Sequence, residues 1–153
     1  MNINYLVGDA TLPVKTPAII CHVVNDIGAW GAGFVIAITK RFGKDPETAY
    51  RLWSDMSDFK LGKVQFVLVV NKGIIIANMV AQSSIRSKSN PKPLSLNALK
   101  ICLKQVYSYA GTEFTVHMPR IGCGLAGGTW SEVEPIIKRA MTVDTYVYDF
   151  EPK

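Results

Sequence analysis

Apolar residues fall into short runs punctuated by glycine, proline and asparagine, and each run has the length and spacing of a recognisable element. Asn4-Tyr5-Leu6-Val7 predicts a first strand, closed by Gly8-Asp9. Ala18 to Val24 predicts a second strand, apolar at successive positions and therefore buried on both faces. Phe34 to Phe42 predicts a helix with Lys40 and Arg41 in its last turn and Gly43 as its stop. Asp45-Pro46-Glu47 opens a second helix carrying Tyr50, Leu52, Trp53 and Met56. Val64 to Val70 and Ile74 to Val80 are β-branched runs around Asn71-Lys72-Gly73, a hairpin pattern. Leu96 to Ala110 places Leu99, Cys102, Leu103, Val106 and Ala110 on one helical face. Phe114 to Met118 and Val143 to Tyr148 complete the strands, with a last helix between them. That helix has two possible capping boxes, Thr129-x-x-Glu132 and Ser131-x-x-Glu134, and Pro135 favours the later start.

This order predicts one domain over residues 1–153, of class α/β: a three-layer α/β/α sandwich with a mixed central sheet. Between the hairpin and the third helix, Ala81 to Pro93 holds four serines, two prolines and three cations. It is expected to be a mobile loop, either a solvated linker or a lid.

Two glycine-rich loops interrupt the pattern. Asn25-Asp26-Ile27-Gly28-Ala29-Trp30-Gly31-Ala32-Gly33 follows the second strand, and Pro119-Arg120-Ile121-Gly122-Cys123-Gly124-Leu125-Ala126-Gly127-Gly128 follows the strand ending at Met118. So many glycines mean that backbone comes close to something. Bare N–H groups ahead of a helix favour an anion, most often phosphate; a ligand-free connector is the alternative. Both loops follow strands, so both are expected at the carboxyl edge of the sheet, where open α/β sheets place ligands. Gly122 to Gly127 also matches G-x-G-x-x-G, with Asp149 at a ribose-binding distance. Three residues intervene between strand and first glycine, and no second mononucleotide-binding half follows, so a dinucleotide oxidoreductase is a poor fit.

Composition narrows the classes. Of the 153 residues 48% are hydrophobic and 19% charged, as in ordinary globular proteins. No apolar run is long enough to span a membrane, and Met1-Asn2-Ile3-Asn4 does not start a signal peptide, so no membrane role and a cytoplasmic setting are expected. Cys21, Cys102 and Cys123 form no CxxC pair, and His22 and His117 lack ligand spacing, so no metal and no cofactor is expected. The net charge of +5 suits an anionic ligand, but the cations are scattered, and nucleic acid is expected only as a modified substrate. A monomer is expected.

Met118-Pro119-Arg120-Ile121-Gly122-Cys123-Gly124-Leu125, joined to Trp130, resembles the branch of the macrodomain family that holds the terminal ADP-ribose protein glycohydrolase. His22-x-x-Asn25-x-x-Gly28-x-Trp30-Gly31-x-Gly33 is more similar to the ADP-ribose 1''-phosphate phosphatase of the same broad branch. The resemblance runs from Gly8-Asp9 to Tyr148 and implies a pocket for ADP-ribose or ADP-ribose 1''-phosphate. It implies that Asp9, with Ala10 beside it, meets the adenine amino group, and that Tyr148 and Phe150 flank the base. Gly28, Trp30, Gly31, Ala32, Gly33 and Phe34 would wrap the distal ribose and its neighbouring phosphate. Pro119, Ile121, Gly122, Cys123, Gly124, Leu125 and Ala126 would line the pyrophosphate.

For chemistry the resemblance points to His22 as the group that orients a water or protonates a leaving oxygen. Asn25 would hold an oxygen of the distal ribose, and Asp26 is a second candidate base. The glycohydrolase branch uses a lysine after its fourth strand and an aspartate in the second glycine loop. Here Ala81-Gln82-Ser83-Ser84 and Ala126 stand in those places, so a lysine adduct has no matched amine. Three readings stay open: a phosphatase acting on ADP-ribose 1''-phosphate, aided by Arg86, Lys88 and Lys92; a non-catalytic binder of ADP-ribose or a related nucleotide signal; and an ADP-ribosyl hydrolase acting on macromolecules.

Overall fold

The two most apolar runs become neighbours at the centre of one sheet. The computed structural model describes residues 3–69 and 72–150. Its strands are β1 (Ile3–Val7), β2 (Ala18–Asn25), β3 (Val64–Val69), β4 (Ile74–Gln82), β5 (Thr115–Pro119) and β6 (Thr145–Asp149). Its helices are α1 (Phe34–Phe42), α2 (Asp45–Trp53), α3 (Leu96–Ala110) and α4 (Trp130–Ala140). Val70 and Asn71, expected at the end of the hairpin's first strand and in its turn, lie outside the described residues.

The sheet order is β1-β6-β5-β2-β4-β3. All neighbours are parallel except β3 and β4, whose hairpin supplies the antiparallel edge and makes the sheet mixed. β2 and β4 are buried almost throughout because apolar clusters cover both faces. On one face α3 and α4 press Leu99, Leu103, Val133 and Ile137 onto Ile19, Met79, Val116 and Met118. On the other, α1 and α2 bring Val35, Ile38, Tyr50 and Trp53 over Ile20, Val24, Ile76 and Val80. That second cluster does not reach β5 and β6. Over them runs the segment Asp9 to Pro17, bonded to Tyr148 and Thr115.

Three local expectations are corrected. Met56 falls in the turn after α2, where its amide bonds back to Trp53, and its side chain is exposed. α4 takes the earlier of its two caps: the Glu132 carboxylate accepts from Thr129 N at 3.1 Å and from Thr129 Oγ1 at 2.9 Å. Lys92 Nζ, 2.6 Å away, holds the same carboxylate, and the two extra residues cost nothing more at Pro135, which removes one helical bond from either start. Thr129→Ala is expected to remove about 1 kcal/mol and lower Tm by roughly 2–4 °C in a calorimetric scan.

The stretch expected as a mobile loop from Ala81 is the third. Ala81 and Gln82 belong to β4. Beyond them Asn90 Nδ2 donates to the Ser83 and Ile85 carbonyls, and Ser87 and Asn90 form a bridge. A polar asparagine at the loop's base supplies the bonds that composition alone does not reveal.

Candidate ligand-binding site

The first glycine loop is built by one side chain. Asn25, at the end of β2, accepts at Oδ1 from Ile27 N (3.1 Å), Ala29 N (3.0 Å) and Tyr50 Oη (2.8 Å), and its Nδ2 donates to Ala29 O (2.8 Å). Gly28 turns the chain at φ +75°, and Arg51 Nη1 donates to its carbonyl at 2.9 Å. The buried Trp30 ring donates from Nε1 to Thr39 Oγ1 at 2.9 Å, which clamps the loop onto α1. Gly31, Ala32 and Gly33 are left exposed as a bare strip ahead of that helix.

Two clefts lie on either side of the strip. The larger, about 620 Å³, is lined by Gly8, Asp9, Ala10, Thr11, Gly33 and Phe34, by Ile36, Ala37, Lys40 and Arg41 of α1, and by Pro119, Tyr148 and Phe150. The smaller, about 310 Å³, is lined by Val23, Val24, Asn25, Ala29, Gly31, Ala32, Val35, Gln82, Ile85, Arg86 and Leu125. Both volumes fall within or at the edge of the range of small-molecule sites. Leu125 reaches across to Gly33, 3.5 Å from where a Cβ would stand there, so the second loop closes over the first. In the larger cleft Asp9 Oδ1 accepts from Thr11 N and Thr11 Oγ1, and Arg41 Nη2 stands 3.7 Å from Oδ2.

Most glycines of the second loop pack closely against the chain itself. A Cβ on Gly127 (φ +78°) would lie 2.6 Å from Pro91 O, and one on Gly122 (φ +73°) 2.8 Å from Leu94 Cδ2. A Cβ on Gly128 would meet Leu94 Cδ2 at 2.5 Å and Gly122 O at 2.6 Å. What the backbone approaches at these three positions is the chain's own 91–94 segment. Gly124 alone of the loop's glycines has open space around it. Ile121 and Ala126 are core residues, and Ala126 O receives Leu94 N. Cys123 is half-buried with Sγ toward Ile121 O, and burial pushes its thiol up. None of Ile121, Gly122, Cys123, Gly124 and Ala126 lines either cleft, nor do Gly28 and Trp30.

The expected catalytic group stands apart from both clefts. His22 is 1% exposed and lines neither cleft. Its Nε2 lies 2.5 Å from Asn78 Oδ1, and its ring sits behind Trp30 (5.5 Å) and Phe34 (5.8 Å). Burial lowers its pKa to about 4, so it is neutral at pH 7 and Nε2 is the donor to Asn78. Asn78 in turn donates to Gln65, and Gln65 to Ala49 O, so His22 heads a buried polar row across β2, β4 and β3 to α2. Asn25 does line the smaller cleft, though its Oδ1 and one Nδ2–H are engaged by the loop it shapes and by Tyr50. Asp26 Oδ1 is taken by Ser84 N at 2.7 Å and anchors the 83–94 loop.

The residues that sequence reasoning did not single out come chiefly from α1. Ile36, Ala37, Lys40 and Arg41 recur at helical spacing on the face opposite the buried Val35 and Ile38. An exposed isoleucine on an otherwise short helix was the available signal. Thr11, Gln82 and Ile85 had none.

No family model matches the chain. A macrodomain protein from Streptomyces coelicolor is 44% identical, with 97% of this chain and 99% of that one covered and a TM-score of 0.82. A Bacteroides thetaiotaomicron protein of unknown function is equally identical, 44%, over 97% of this chain and 98% of that one, at a TM-score of 0.90. A Thermosipho africanus DarTG in complex with ADP-ribose shares the fold at 17% identity and TM-score 0.76, covering 98% of this chain and 42% of that one. Among curated proteins, the Danio rerio chromodomain-helicase-DNA-binding protein 1-like is 35% identical over 147 residues, which is 90% of this chain and only 14% of that protein. The chain spans 14–18% of the length of the two chromodomain-helicase relatives it matches. The Candida albicans ADP-ribose 1''-phosphate phosphatase is 21% identical over 154 residues, 95% of this chain and 98% of that protein. With nearly half of its residues shared with a macrodomain protein over the full length of both, and the same sheet beneath them, the chain belongs to the macrodomain family.

Proposed function

We propose that the two clefts form one elongated site for ADP-ribose, and that the protein is a binder of ADP-ribose or of a group carrying it. The observation that carries this reading is the pair of clefts flanking the bare Gly31–Ala32–Gly33 strip, with Leu125 opposite. The larger cleft suits an adenosine: Asp9 has lone pairs left for an amino group, and Phe34, Ile36, Tyr148 and Phe150 give the apolar walls that a base needs. The strip and Gly124 offer bare backbone to a pyrophosphate at the start of α1. The smaller cleft receives the distal ribose. The DarTG complex with ADP-ribose supports this choice of ligand.

The test is titration calorimetry with ADP-ribose. Binding is expected for the wild type, and Asp9→Ala is expected to weaken it at least tenfold. No heat and no competition by ADP-ribose would reject the reading.

A second reading, hydrolysis of ADP-ribose 1''-phosphate, draws on the full-length likeness to the Candida phosphatase and on Arg86, a cation on the wall of the smaller cleft where a terminal phosphate would lie. It requires a base other than His22. Phosphorus NMR separates the two: growth of inorganic phosphate, abolished in Arg86→Ala, marks a phosphatase, whereas shifted pyrophosphate signals without turnover mark a binder.

A further inference from the structure

His117 is fully buried on β5 and takes no part in either cleft, yet both of its ring nitrogens are bonded. Nδ1 lies 2.8 Å from Tyr148 Oη and Nε2 lies 2.8 Å from Thr115 Oγ1. Tyr148 Oη also accepts from Val14 N at 3.0 Å, and Thr115 Oγ1 lies 3.5 Å from Pro17 O. One arrangement of protons satisfies every group. The Tyr148 hydroxyl gives its proton to Nδ1, Nε2–H donates to Thr115, and Thr115 donates to Pro17 O. The imidazole therefore closes a polar circuit whose two ends grip Val14 and Pro17, in the second half of the segment that lies over β5 and β6.

That segment begins with Asp9, Ala10 and Thr11, which wall the larger cleft, and Tyr148 itself belongs to the same wall. The second apolar cluster stops short of β5 and β6, and hydrogen bonds from Val14 N to Tyr148 Oη and from Thr115 N to Pro17 O tie the segment to the sheet there. Tyr146 stacks on the other side of the imidazole at 4.8 Å and 8°, which fixes the ring plane. The titratable groups around the ring are Tyr146 and Tyr148 on β6; the covering segment carries Asp9 and Lys15, and on β2 its partner in register is Ile20.

We propose that His117 is a positioning residue of the ligand site, holding the Asp9–Pro17 segment through Tyr148 and Thr115 so that Asp9 meets the bound base. It rests on the reading of the larger cleft as the adenosine site. An imidazole suits the task because its rigid ring accepts at one nitrogen while it donates at the other.

The experiment is a double-mutant cycle on ADP-ribose affinity at pH 7.5 with Tyr148→Phe, His117→Phe and the pair, together with amide exchange of the free protein. Each single variant is expected to bind about tenfold more weakly, and the pair no more weakly than the worse single, because both break one circuit. Val14 exchange is expected to rise at least tenfold in both singles while Ile20 and Val147 in the strands keep their protection. Additive losses in the cycle, or unchanged Val14 exchange, would overturn the proposal. If His117→Phe does not fold, His117→Leu, smaller than phenylalanine, takes its place in the cycle and in the exchange arm. That arm needs no ligand, so a wild type that ignores ADP-ribose would reject the proposed function and leave the tether to be judged on Val14.

Discussion

Gly127→Ala is expected to destabilise the protein by about 3 kcal/mol, more than an ordinary surface substitution by a wide margin. Two costs add. The position sits at φ +78°, where an L side chain loses about 1–2 kcal/mol against its own carbonyl. The new Cβ would also stand 2.6 Å from Pro91 O and 2.9 Å from Lys92 Cα, so backbone rather than a yielding side chain must move, an overpacking cost of about 1–3 kcal/mol. Movement is resisted on both sides. Leu94 N is bonded to Ala126 O, Gly127 N to Gly124 O, and Lys92 Nζ to the Glu132 cap of α4. Gly124→Ala is the matched control: nothing stands within 4 Å of its Cβ, and its φ is not positive, so stability should stay within about 0.5 kcal/mol of wild type. Urea titrations of both variants check the contrast. Equal midpoints would mean that the loop glycines are not packed against the 91–94 segment. Under the proposed function the control has a second use: Gly124→Ala should leave the fold intact while it weakens ADP-ribose.

That contrast also marks where the sequence could be read and where it could not. Strand and helix identities followed from apolar runs and stop signals, because β2, β4 and α3 are governed by burial, and burial writes a periodic pattern. The position of both glycine loops at the carboxyl edge followed from their place after strands. Their internal division of labour did not. Gly127 and Gly124 look alike in a sequence, and only the 91–94 segment, more than thirty residues upstream, distinguishes a packing glycine from an open one. Asn25 and His22 posed the same difficulty from the polar side. An asparagine after a strand reads as a ligand contact, yet its Oδ1 and one Nδ2–H are engaged by its own loop and by Tyr50. A histidine in an apolar strand reads either as chemistry or as a buried hydrogen-bonding group, and its partner Asn78 is supplied by a strand fifty-six residues away. The cap of α4 was decided by Lys92, equally remote. Local signals thus identified the elements and the edge, and long-range contacts assigned the side chains.

The two histidines make a further expectation about acid. Burial lowers the pKa of both His22 and His117 to about 4, against 6.5 for an exposed imidazole. Neither can take a second proton without a loss. His22 Nδ1 is buried with no partner among the described residues, so an N–H there would face Trp30 and Phe34 unsatisfied. His117 Nδ1 faces the Tyr148 hydroxyl, which would have to surrender its donor role and with it the circuit to Val14. Between pH 6.5 and 4 the unfolded chain therefore binds protons that the folded chain refuses, and stability must fall as the pH falls through that window. From pH 7 to 4.5 the loss amounts to about 2–3 kcal/mol for each histidine. Lys92 holds Glu132, and Arg120 holds Asp149, below the usual range; both are partly exposed, and what they contribute is lost mainly further down. Urea unfolding at half-unit steps from pH 7 to 4.5 should give a falling free energy. His22→Gln and His117→Gln should each start lower at pH 7 and fall with about half the wild-type slope. Parallel slopes in wild type and both variants would mean that the imidazoles take up protons as readily in the folded protein as in the unfolded chain, and the neutral relays argued for His22 and His117 would have to be abandoned.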